Sequence, residues 1–236
     1  MTLLCLKCLL ANAERLTGWT CQVFLVDDGS SDGTGSRVRA AFRQVKVIEG
    51  DGNLFWAKGM ELAWKTAVAE GDWDAYLWLN DDTVLYDDAL AKLFSLDDGC
   101  SIIVGDLQDS AGKIVYGLRE GGLFTGNCVF VPQAVYGRLG MLCAGFAHAW
   151  ADSDYALLAQ RKGVNVIAGG VVGTVEGHPN RPSLKGLSFK ERVRMLRDPK
   201  GWHVHDLWLY RRRNWGIMAA MVSCVHLVLH VMWGER

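Results

Sequence analysis

At 236 residues, half of them apolar, the chain is long enough to bury one sizeable core, as single α/β domains of this length do. Its 25 Lys and Arg against 26 Asp and Glu leave no overall basic field, which argues against a nucleic-acid partner. Seven scattered cysteines read as reduced core thiols, because the close pair Cys5 and Cys8 has no second pair to complete a zinc site.

The first leucines recur at helical spacing through Leu3, Leu6, Leu9, Leu10, Ala13 and Leu16, with Gly18 as the stop, so the chain opens on a helix. That segment carries Lys7, Glu14 and Arg15 and no small-residue cleavage site, which argues against a secretory signal and for a cytoplasmic location. "CQVFLVDDGSSDGT" follows, a short apolar strand running into carboxylates and turn residues, then a helix from about Gly35 to Phe42 and a strand "VKVIEG". Gly59 to Glu70 reads as a helix and "DAYLWLNDDTVL" as the next strand. This alternation predicts a mostly parallel central sheet with helices on both faces, and polar residues just past strand ends mark where such sheets bind ligands. Asp27, Asp28, Asp81 and Asp82 stand at that edge. A strand normally precedes the first helix of such a fold, so either "MTLLCL" is that strand or the strand is missing.

Past Gly105 the pattern turns to short strands, including "TGNCVFVP", and then to "HAWADSDYALLAQRKGVNVIAG", a helix followed by a strand. The region after His178 reads as basic and irregular. Between Arg181 and Arg213 ten Lys and Arg face three acids, which leaves the rest of the chain at minus eight beside a net charge of −1. Trp215 to Trp233 contains no Asp, Glu, Lys or Arg. With Arg211, Arg212 and Arg213 before it, this stretch reads as an interfacial helix, a packed helix or oligomer contact being the alternative.

Three groups of carboxylates carry chemistry. Asp81 and Asp82 follow an apolar strand whose burial fixes their direction, and a compact pair of hard oxygens suits Mg²⁺ or Mn²⁺ holding a diphosphate; an Asx turn capping the next helix is the alternative. Asp27 and Asp28 could accept hydrogen bonds from a nucleobase imide or a ribose hydroxyl, or cap the helix that follows. Asp152 and Asp154 fall in the first turn of a helix, where the dipole favours their ionised form, as a general base requires and as capping also would.

Together these segments resemble the family 2 glycosyltransferases of GT-A fold. "VDDGSSDGT" is similar to their nucleotide-binding segment, "LNDDT" to their metal-binding D-x-D-type signature and "WADSDYALLAQRKG" to their acidic catalytic motif. "GDGNLFWAKGM", "TGNCVFVP" and "GTVEGHPNRPSLKGLSFKERVRMLRDPKG" are similar to bacterial, rhamnosyltransferase-like members. The resemblance covers about residues 1 to 213. It implies an α/β chain with a GT-A domain over 1–205, short of its N-terminal strand, and a basic, apolar segment over 206–236 forming a membrane-associating helix.

By the same resemblance Asp28, with Asp27 beside it, contacts the base, and Asp81 the ribose or donor sugar. Asp82 holds Mn²⁺ or Mg²⁺, with His178 a candidate further ligand. Lys58 is a candidate for a diphosphate oxygen, Asp152 is the base that deprotonates the acceptor hydroxyl, and Trp150 and Asp154 lie on the acceptor side. The implied activity is inverting transfer from a UDP- or dTDP-sugar to a hydroxyl of a glycan or lipid-linked acceptor, in cell-surface polysaccharide synthesis. Ala151 stands where the family usually has Glu, and Ala57 and Lys58 where Asn or Gly is commoner, which bears on acceptor and donor preference. A nucleotidyltransferase would need a glycine-rich phosphate loop near the N-terminus, and a dehydrogenase a G-x-G-x-x-G after a strand; the chain has neither. A weakly active or inactive remnant that only binds a partner or a membrane is the remaining alternative.

Overall fold

The computed structural model describes residues 1–176 and 183–233. Helix α1 (Thr2–Arg15) comes first, followed by β1 (Val23–Asp27), α2 (Thr34–Ala41), β2 (Val45–Glu49) and α3 (Phe55–Glu70). Next are β3 (Ala75–Leu79), β4 (Thr83–Leu85), α4 (Ala89–Ser95), β5 (Ile102–Gln108), β6 (Ile114–Tyr116), β7 (Cys128–Pro132) and α5 (Gln133–Leu139). The chain closes with α6 (Ala151–Arg161), β8 (Val166–Val175), α7 (Phe189–Met195) and α8 (Val204–Trp233).

"MTLLCL" is therefore helix and not strand. α1 forms because its apolar residues split into two stripes with separate partners. Leu3, Leu6 and Leu10 meet Val38 of α2 and Val45 of β2, while Cys8, Leu9 and Ala13 meet the cluster of Leu85, Leu90 and Leu93. Asn12 fixes its angle: the amide donates to the Tyr86 carbonyl at 2.9 Å and accepts from the Leu90 N–H at 3.2 Å.

The sheet departs from the expectation of one mostly parallel layer. β1 and β2 pair in parallel as a two-stranded sheet, and the remaining strands form a second sheet in the order β3-β7-β5-β8-β4 with β6 beside β5. In that sheet β5 and β8 are parallel, while β3–β7, β5–β7, β4–β8 and β5–β6 are antiparallel. A short polar turn makes the β5–β6 reversal, whereas β3–β7 and β4–β8 pair strands far apart in the chain.

Helices cover both faces of the larger sheet. Val129 and Val131 of β7 point into a cluster with Trp78 and Trp64, and Cys128 and Phe130 into one with Ile103 and Leu90, so the central strands are apolar on both sides. Trp64 of α3 anchors the first cluster, its ring centroid 5.3 Å from Trp78, 5.4 Å from Tyr76 and 6.0 Å from Tyr155. Such edge-on aromatic packing contributes about 1 kcal/mol per pair beyond area burial.

The region after residue 182 is less irregular than its composition suggests. Ser188 and Glu191 form a reciprocal capping box that starts α7. α8 begins eleven residues ahead of the uncharged stretch and crosses the expected division between residues 205 and 206 without a break.

Candidate active site

The first part of the site is built where β1 ends. Asp27 is buried and its Oδ1 accepts from the Ser30 N–H at 3.0 Å. The backbone of α2 approaches so closely that a Cβ on Gly35 would lie 2.1 Å from Asp27 Oδ2. Asp28 reaches across to the 50–55 loop: Oδ1 accepts from Gly52 N–H at 2.8 Å, and Oδ2 from Leu54 and Phe55 N–H at 2.9 and 3.1 Å. The carboxylate thus caps the amino end of α3, where unsatisfied N–H groups and the helix dipole favour an anion. Phe55 holds a left-handed φ of 53° at that junction. Such strain in a non-glycine residue persists where surrounding bonds over-determine the backbone. This capping extends α3 four residues beyond its expected start at Gly59 and brings Trp56 and Lys58 into its first turn.

The second part follows β3. Asn80 N–H donates to the Asn127 carbonyl at 3.0 Å and Thr83 N–H to the Asn80 carbonyl at 3.1 Å, which closes a tight turn under the two acids. Asp81 is exposed, and its Oδ2 accepts from the Thr2 hydroxyl at 2.6 Å. Asp82 is half-buried, and its Oδ1 is a buried oxygen without a hydrogen-bond partner; the neighbouring Thr83 Oγ1 is another. Burial pushes the Asp82 carboxyl above its usual range and the charge of Asp81 adds to that. An orphaned carboxylate oxygen in such a place is costly unless something cationic meets it. The donor set, hard oxygens on one turn, fits a divalent ion of the Mg²⁺ or Mn²⁺ type. His178 lies outside the described residues.

The third part is the amino end of α6. Asp152 accepts from Ser153 N–H at 2.7 Å and from Gly126 N–H at 3.1 Å. Burial raises its carboxyl, with those two amides and the Arg119 charge opposing. Trp56 joins this part to the second: its indole N–H donates to Asn80 Oδ1 at 2.7 Å, and its ring lies so close to Gly126 that a Cβ there would sit 2.3 Å from Cζ2. Its own N–H donates to His148 Nδ1 at 3.4 Å. Burial, then the Lys200 charge, lowers the His148 pKa, which suits a neutral ring accepting at Nδ1.

Continuous contacts therefore run from Asp28 through the 50–55 loop and Trp56 to the Asn80–Asp82 turn and on to Gly126 and Asp152, which links the three carboxylate groups. Trp150 and Asp154, the two residues expected on the acceptor side, both contact α8. Trp150 stacks on Tyr210 with centroids 4.7 Å apart and planes 21° apart. Asp154 is buried and accepts from Arg213 Nε at 3.0 Å and Asn214 Nδ2 at 2.8 Å, so it ties α6 to α8. In a first helical turn successive residues point about 100° apart, which sends Asp152 toward Gly126 and Asp154 toward α8.

Asp206 is the site's neighbour that the sequence does not announce. It is fully buried and accepts from three successive amides, Ala147, His148 and Ala149, at 3.1, 3.0 and 3.1 Å, fixing the loop that enters α6. Burial alone would raise its carboxyl, but the His148 and Ala147 amides and His203 together outweigh it and hold the group below its usual range. Asp206, His203 and His205 also bring potential metal-ligating atoms within 4.8 Å of one another. The amides already occupy the carboxylate, which makes it a loop anchor. In the sequence Asp206 is a single acid inside a basic stretch, and a helix-start acid is the one signal it gives.

Comparison with known proteins bears on the family and the fold. Residues 2–116 match the family described as "Glycosyl transferase family 2", and no curated protein matches the chain. Among solved structures, the Pyrobaculum calidifontis mannosyltransferase PcManGT, in complex with GDP-Man and Mn²⁺, aligns over 100% of this chain and 73% of its own. Its identity is 16% and its TM-score 0.53. S. aureus TarS 1–349 aligns over 98% of this chain and 77% of its own at 12% identity and TM-score 0.54. GalNAc-T7 with UDP, GalNAc and Mn²⁺ aligns over 89% and 47% at 13% identity and TM-score 0.50. The fold is GT-A, and the family match covers just under half of the chain.

Proposed function

From a GT-A fold with a family 2 match over residues 2–116, we propose that this chain transfers a sugar, with inversion, from a UDP- or dTDP-sugar to a hydroxyl of a glycan or lipid-linked acceptor. Rhamnosyl transfer in bacterial cell-surface polysaccharide synthesis is the specific form of this reading. The observation that carries it is Asp82 Oδ1, a buried carboxylate oxygen without a protein partner, on a turn linked through Asn80, Trp56 and Gly126 to Asp152.

In this reading Asp82 and Asp81 would hold Mn²⁺ or Mg²⁺, with His178 a further ligand. When bound, such an ion neutralises charge that develops on a departing diphosphate. Asp28 and Asp27 face the base, and Lys58 in the first turn of α3 a diphosphate oxygen. Asp152 accepts the proton of the acceptor hydroxyl, whose oxygen bonds to the anomeric carbon as the bond to the diphosphate oxygen breaks on the opposite face. One displacement inverts the centre. A base whose pKa burial has raised takes a proton more readily than an ordinary carboxylate.

A second reading, a binding remnant without turnover, draws on the Thr2 hydroxyl that occupies Asp81 Oδ2. Release of nucleoside diphosphate from UDP- and dTDP-sugars, followed with and without a chelator, separates the two. Chelator-sensitive release that Asp152→Asn lowers supports transfer; none with any donor and acceptor leaves the remnant.

A further inference from the structure

α8 changes direction at Gly216, whose φ of 87° and ψ of 177° leave the helical region. Its first half lies against α6 through Tyr210, Arg213 and Asn214. Its second half turns back along the body. Cys224 Sγ lies 3.8 Å from the Val204 carbonyl, the Trp202 and His230 rings are 5.0 Å apart, and the buried Arg192 guanidinium donates to the Val231 carbonyl at 2.7 Å. Ala220 and Val231 are fully buried on that inner side.

The outer side is largely apolar among the described residues, with His226 and His230 also exposed. Ile217, Met218, Met221, Val222, Val225 and Leu229 recur at helical spacing and are 49% to 71% exposed. Trp215 and Trp233 stand exposed at its two ends, and Phe189 of α7 lines one hollow with Met232 and Trp233. No Asp, Glu, Lys or Arg interrupts the sequence from Asn214 to Trp233. Positive charge borders both ends. The Arg211 guanidinium lies 5.0 Å from the Trp215 ring with Arg212 exposed beside it, and Lys190, Arg194 and Arg197, with Glu191 among them, line a groove along α7 and just past its end, a net positive set.

We propose that this face docks on an anionic bilayer, the second half of α8 lying flat in the headgroup region with the lysines and arginines on lipid phosphates. Contiguous apolar surface of this kind marks an interaction site, and Trp at the ends with basic residues at the rim suits the polar–apolar boundary of a membrane. α8 has the length and hydropathy of a spanning helix, a mean of 1.8, but it breaks direction at Gly216 and its second half packs back on the body. Spanning would also strip Val231 from Arg192. Two-fold pairing with a second copy would set the same positive rim against itself, which costs affinity.

The docking rests on α7 and α8 and not on sugar transfer, so each can fail without the other. The test is flotation of the full chain with vesicles of phosphatidylcholine alone and of phosphatidylcholine mixed with phosphatidylglycerol. Binding is expected to the mixed vesicles, at least about tenfold weaker to the neutral ones and weakened by salt. Val222→Glu with Leu229→Glu should reduce it by at least about tenfold without altering the circular dichroism or melting, since both side chains point outward. Should that variant fold poorly, brominated-chain lipids read the wild type directly, and the quenching they cause should fall in Trp215→Phe with Trp233→Phe. No binding to either vesicle at low salt would overturn the proposal. So would undiminished binding by the folded glutamate variant, or a vesicle-free dimer that this variant dissociates.

Discussion

Asp152 and Asp206 show how one residue type serves opposite ends. Both are carboxylates at helix starts, but Asp152 meets two amides and burial wins, raising its pKa, whereas Asp206 meets three amides and His203 and ends below its usual range. The sign for activity follows. Asp152 takes up its proton at a higher pH than an ordinary carboxylate, so kcat/KM for transfer should fall on the acid side with a midpoint above that range. Asp152→Asn should keep donor affinity and lower kcat by about 10² to 10⁴, read in a pH-resolved transfer assay. For Asp206 the sign concerns stability. A depressed folded pKa stabilises above the unfolded pKa, and that contribution is lost as pH falls through the folded value. Asp206→Asn, which sets an amide N–H₂ against backbone donors, should cost about 3 kcal/mol and flatten the acid limb of a denaturation series. The sequence shows Asp27, Asp28, Asp81 and Asp82 because they end apolar strands. It hides Asn80, His148 and Asp206, whose partners lie far along the chain.

At the scale of elements, strand ends and helix starts are legible where apolar runs meet turn residues, as at β1, β2 and α6. They are less legible where a distant side chain sets the boundary. Asp28 starts α3 early, and Asp206 with Asn214 makes the first half of α8 part of the site's framework, so a division at residues 205 and 206 cuts through it. Sheet direction is not written in local pattern either: β5 and β7 read alike as apolar runs whether their neighbours are parallel or antiparallel. The packing of Trp56 between Asn80 and Gly126 gives a test of how these elements lock. Gly126→Ala must displace the Trp56 ring, at about 1–3 kcal/mol. Its cost combined with Trp56→Ala should fall well short of the sum of the two, since either change removes the clash the other feels; additive melting data would show that the two do not touch.

Over the whole molecule, a two-stranded parallel sheet and a six-stranded mixed sheet are joined by α1 and α3, and contacts through Trp56 link the acids that follow β1 and β3. The GT-A architecture is recognisable from the order of "VDDGSSDGT", "LNDDT" and "WADSDYALLAQRKG" by its resemblance to that family's motifs. Mixed pairing and the reversal of α8 at Gly216 depend on contacts between segments distant in sequence. The central claim is that Asp82 and its neighbours make donor binding depend on a divalent ion. Calorimetric titration of a UDP- or dTDP-sugar into the wild type, Asp82→Ala and Asp152→Asn, each with Mn²⁺ and with chelator, tests it most directly. The account predicts ion-dependent binding in the wild type and in Asp152→Asn, and its loss in Asp82→Ala; equal donor affinity with Mn²⁺ and with chelator would contradict it.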